Sequence, residues 1–129
     1  MAAVGICLSL TANCFAAELP HAFWAPDNAY LAALNSGDDS GIITFGQQAL
    51  EGIRPLANTE QKANIMASRL DQIGLAYERR GQYADARNCY QEYIPYAQQL
   101  NWEDGVRIAN AKILHYTPEL DLYTKSYDS

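Results

Sequence analysis

Apolar residues recur along this chain at three- and four-residue intervals, the spacing that gathers them on one side of an α-helix. The pattern is sharpest over 70–97, LDQIGLAYERRGQYADARNCYQEYIPYA. There Leu70, Ile73, Gly74 and Tyr77 fall on one face, and beyond Gly81 a second face carries Ala86, Tyr90, Tyr93 and Ile94. The stretch reads as two amphipathic helices joined at Gly81, a residue suited to the left-handed conformation that ends a helix. Small Gly74 is expected to face small Ala86 across the turn, with large aromatics on either side.

The same spacing predicts helices over 28–35, 40–54, 59–80, 83–100 and 103–115. Residues 18–25 read as an irregular link, and Pro26 as the first turn of a short helix. Ile42, Phe45, Ala49, Leu50 and Ile53 form the apolar side of the second helix, which Pro55 closes. Asn58 with Gln61 fits a capping box for the third. Pro95 predicts a kink or a frayed ladder near 91–93. Thr117-Pro118-Glu119 reads as a new cap, followed by a short final helix over 120–129. Only 42–45 looks β-like, and helical spacing overrides it, so the fold expected is all-α, built of antiparallel helical hairpins.

Leu70, Ile73, Gly74, Tyr77, Gly81, Ala86 and Tyr90 stand at the offsets of a tetratricopeptide repeat, and the chain resembles that family in its long-helix variant. The resemblance covers about residues 67–111 clearly and is weak elsewhere. Two positions depart from the pattern: Tyr93 stands where the family has a small Ala, and Gln98 where it has Pro. A self-match at an offset of 44 pairs Gly37 with Gly81, Ile42 with Ala86, Phe45 with Cys89, Leu50 with Ile94 and Ala33 with Tyr77. The resemblance implies a short right-handed stack of one good hairpin, one degenerate hairpin and a half repeat. Residues 118–129 then either cap the stack or lead into further chain.

The chain has 129 residues, 49% of them apolar and 19% charged, which suits one globular domain. Its net charge is −6, and its basic residues form no cluster beyond Arg79-Arg80. Nucleic acid, which needs a concentrated positive field, is therefore not an expected partner. Residues 1–16 resemble a secretory signal peptide that lacks the usual basic start, with cleavage expected after Ala16. The domain proper would be 17–129, secreted or held in the cell envelope. If 1–16 is retained, it is a helix docked on the core of a cytoplasmic protein. The apolar run is too short to span a membrane. Cleavage would remove Cys7 and Cys14 and leave Cys89 alone on an apolar face, a packing residue.

The chain carries no nucleophile-elbow, phosphate-loop or dinucleotide motif. His21 and His115 stand singly, no Cys/His spacing suits zinc, and the pairs Asp38-Asp39 and Glu103-Asp104 sit where they compensate helix dipoles. The reading is a non-catalytic scaffold without cofactor or metal. In the family the first helices of successive hairpins line a concave face. Carried onto this chain, that face comprises Ser68, Asp71, Gln72, Leu75, Glu78 and Arg79, with Arg107, Asn110 and Leu114 from the next first helix. Mixed charge with a few apolar contacts suits a peptide or protein segment. The alternative is a helical accessory domain of a secreted cell-wall or glycan-active enzyme, with glycan as a further partner.

Overall fold

The computed structural model describes residues 19–128, with side chains through residue 117. The expected leader, residues 1–16, lies outside the described residues. Five helices follow one another: α1 (His21–Ser36), α2 (Asp39–Ile53), α3 (Glu60–Arg79), α4 (Tyr83–Gln99) and α5 (Glu103–Asp128). Each packs on its neighbours in sequence: α1 on α2, α2 on α3, α3 on α4 and α4 on α5. Connections as short as 37–38, 80–82 and 100–102 force the chain to reverse, so the architecture is all-α and hairpin-built, as expected.

Three of the reversals use one device. Asp38, Gln82 and Trp102 each donate a backbone N–H (all at 2.9 Å) to a carbonyl five residues back, on Ala33, Tyr77 and Ala97. The residue under each bond is left-handed: Gly37 at φ 73°, Gly81 at φ 74° and Asn101 at φ 59°. This arrangement satisfies carbonyls that a helix end leaves open. The 44-residue offset thus holds at the turns. It holds in the core in altered form. A Cβ on Gly74 would meet the Tyr90 ring at 2.8 Å, and one on Gly46 would come within 3.1 Å of the Tyr30 ring. At that offset Tyr30 aligns with Gly74 and Gly46 with Tyr90, so each hairpin makes one tyrosine–glycine contact with the partners exchanged.

Several expected details are corrected. Gly74 lies against Tyr90, and Ala86 is not among the atoms nearest to it. The Tyr90 ring can tilt, and alanine gains helix propensity, so Gly74→Ala should destabilise by only about 1 kcal/mol. A denaturant titration checks this, and a gain in stability would mean that the contact is not tight. The supposed irregular link is the first turn of α1. Phe23, Asp27, Tyr30 and Ala33 are buried at helical spacing, and the Pro20 carbonyl accepts from the N–H groups of Phe23 and Trp24. Pro26 therefore lies inside a helix rather than at its start.

Asp38 caps α2, accepting from the Gly41 N–H, but Thr59 rather than Asn58 caps α3, accepting from the Lys62 N–H at 3.1 Å. Phe45 is 36% exposed, while Gly46 takes the inward place. The helix α4 is unbroken through Pro95. At Thr117 the hydroxyl donates back to the Ile113 carbonyl at 2.8 Å instead of capping forward, and α5 continues to Asp128 without a break. Tyr93 is buried, and its hydroxyl occupies the space that a side chain on Gly105 would need.

Candidate functional site

Backbones of α1 and α3, and of α3 and α5, make no close contact among the described residues; α2 packs on both α1 and α3, and α4 on both α3 and α5. Two open clefts result. One, of about 550 Å³, lies between α1 and α3, with Phe23, Trp24 and Ile65 among its lining residues beside Asp27, Glu60 and Arg69. The other, of about 680 Å³, lies between the C-terminal half of α3 and α5, with Tyr83 at its inner end.

Each cleft is crossed by one polar tie. Across the first, Arg69 donates through Nε and a terminal nitrogen to both oxygens of Asp27, at 3.1 and 2.9 Å. Asp27 is only 1% exposed and the Arg69 side chain 19%, and the guanidinium also lies 5.4 Å from the Tyr30 ring centre. The buried Tyr30 phenol has its pKa pushed up to about 12 by burial, against the opposing charge of Arg69. Across the second cleft, Glu78 accepts from Lys112 at 3.0 Å and from the Tyr116 hydroxyl. Burial pushes the Glu78 carboxyl up, but those two donors outweigh it and hold it below the ordinary carboxylate range.

Other ties fix the frame. Arg79 donates to Asp39 at 2.7 Å and Arg80 to the Ser40 hydroxyl at 2.6 Å, fastening the end of α3 to the start of α2. Arg79 holds the exposed Asp39 carboxyl below its usual value. Arg54 forms a two-bond pair with Glu92 on α4, at 2.8 and 2.9 Å. Lys62 is buried, and its ammonium donates to the carbonyls of Arg54 and Leu56, where α2 ends.

The expected site residues divide accordingly. Glu78, Arg79 and Arg107 line the α3–α5 cleft. Ser68, Asp71, Gln72 and Leu75 sit half-buried on α3 and do not line it. The Ser68 hydroxyl donates to the Asn64 carbonyl at 2.8 Å, and Asp71 accepts from the buried Tyr90 hydroxyl at 2.9 Å, so both are tied within the fold. Asn110 and Leu114 are exposed on α5 outside the cleft lining, Leu114 at 71%. Periodicity overlooked Asp27, Arg69, Lys62, Lys112 and Tyr116, whose roles depend on partners far away in sequence.

Cys89 is buried, and burial, aided by the charges of Glu92 and Asp85, pushes its thiol up to about 12. It is therefore protonated and unreactive at neutral pH. Among the described residues no three His, Cys, Asp or Glu side chains come together as metal ligands would, and no helix is long and apolar enough to cross a membrane. The chain matches no protein-family model, no curated protein and no solved structure.

Proposed function

We propose that this chain is a non-catalytic, tetratricopeptide-like scaffold, exported by its leader, that binds a peptide or protein segment along α1, α3 and α5. The observation that carries the reading is the pair of clefts between successive odd helices. Each joins apolar surface to charged groups on a rigid hairpin frame, the combination that anchors a segment and sets its register. Rim-type charge contacts predict micromolar binding that weakens with salt.

Selection of a random peptide library displayed on phage against the immobilised full chain tests this. Binders should be enriched, and their binding should fall on Trp24→Ala/Asn64→Ala in one cleft or on Arg107→Ala/Ile108→Ala in the other. Failure to enrich any peptide, or binders indifferent to both double variants, would overturn the reading. The accessory-domain alternative draws on Trp24 and Trp102, large aromatics left partly in solvent where a sugar ring could stack. Retention on cell-wall glycan, lost on changing both tryptophans to alanine, would favour it.

A further inference from the structure

The two clefts differ in sign. In the α1–α3 cleft the one lining cation, Arg69, is engaged by buried Asp27, and Glu60 is left over. In the α3–α5 cleft the lining holds Arg79, Arg107, Lys112 and His115, with Glu78 as its only acidic residue. Glu78 and Lys112 engage each other, with Tyr116 also donating to Glu78, so the charge left to a ligand is that of Arg79 and Arg107. These two guanidinium groups share one cleft in a chain whose net charge is −6.

The two guanidinium groups can be recruited. Arg79 pairs with Asp39 and Arg107 with Asp104, and neither aspartate lines the cleft. Side-chain exposure is 48% and 28% for the first pair and 73% and 87% for the second. The Arg107–Asp104 pair is open to water, is screened and contributes little, so a better-placed carboxylate can displace Asp104 at small cost, while Arg79 can keep its two bonds to Asp39 and offer its remaining terminal nitrogen. Planar guanidinium groups suit such a ligand because each can meet both oxygens of a carboxylate at once. Beside them Ile108 is 50% exposed and Ala111 continues the same wall.

We propose that the α3–α5 cleft seats an acidic protein segment, with Arg79 and Arg107 holding its carboxylates and Ile108 packing on a neighbouring aliphatic side chain. This rests on the scaffold reading above and adds the chemistry of the ligand and the cleft that takes it. A nucleic acid fits less well. Phosphate backbones need a track of cations over several repeats, whereas these are confined to one cleft, and the rest of the anionic molecule would repel a long polyanion.

The test uses the full chain and three fluorescent probes: a short peptide of Asp, Glu and Leu, its Asn, Gln and Leu counterpart, and a single-stranded DNA of equal charge. Anisotropy titrations at physiological salt should show the acidic peptide binding about tenfold more tightly than its amide counterpart, a difference of about 1.4 kcal/mol. Arg107→Glu should weaken the acidic peptide by at least about tenfold, with salt dependence reduced as one contact is lost. The double variant Gln48→Glu/Asn88→Glu, an equal charge change at exposed positions of α2 and α4 outside the cleft, should leave binding as it was. Arg107 is well exposed, and an unchanged melting curve confirms that its variant folds. Equal binding of acidic and amide peptides, or of Arg107→Glu and the parent chain, would overturn the proposal. So would DNA binding as tightly as the acidic peptide. Library binders that are neutral and insensitive to Arg107→Glu would sink this inference while leaving the scaffold reading intact.

Discussion

Asp27→Ala should destabilise the protein by about 3 kcal/mol, the low end of the range for removing one partner of a buried ion pair. The variant leaves the Arg69 guanidinium between the Phe23 and Tyr30 rings, at 5.9 and 5.4 Å from their centres, without the carboxylate that takes two of its hydrogen bonds. Arg69 can turn partly to water, since its side chain is 19% exposed, which is why the lower figure applies. The double variant Asp27→Ala/Arg69→Leu should recover part of the loss, because no unpaired charge is then left in the cleft wall. Urea denaturation of the parent, the two single variants Asp27→Ala and Arg69→Leu, and the double variant measures this. If the double variant is destabilised by the sum of the two single changes, the ion pair has no coupling and the argument fails.

Asp27 also shows where sequence reading stops. Its local context, an acid near a proline at an expected helix start, is that of a residue facing the helix dipole in water. The partner that makes it a core residue lies 42 positions away. Apolar spacing reports which face of a helix is turned inward but not which neighbour fills it. Thus α3 and α4 were legible over almost their whole length, while the residue packed on Gly74 was not. The turns at Gly37 and Gly81 were legible because left-handed backbone strongly favours one residue type. Asn101, doing the same work at φ 59°, carries a weaker signal.

Caps were misread by one residue at Asn58 because Thr59 is an equally good acceptor there. Thr117-Pro118 was misread because a hydroxyl can bond backward as readily as it caps forward. In the candidate site the same limit applies. Positions carried over from the family resemblance placed Glu78, Arg79 and Arg107 on facing helices. They could not tell that Glu78 would be engaged from α5, or that Asp71 would turn to Tyr90.

Gly52→Ala should cost about 3 kcal/mol, at the top of the overpacking range, although alanine is the better helix former. A Cβ built on Gly52 would lie 2.6 Å from the carbonyl carbon and oxygen of Ala22 and from the Phe23 nitrogen. These are backbone atoms of α1, so the obstruction cannot rotate away as the Tyr90 ring can at Gly74. Pro26 lacks an N–H and cannot donate to the Ala22 carbonyl, the group that lies beside Gly52. To admit a methyl group the α1–α2 crossing must open. Phe23, buried one residue further along, would then lose its packing against the core. The sign of the change is diagnostic, since an uncrowded helical glycine gains up to about 1 kcal/mol on becoming alanine. A thermal melt of Gly52→Ala at or above the parent midpoint would mean that α1 does not cross α2 this closely. The N-terminal hairpin, and with it the α1–α3 cleft, would then need a different arrangement.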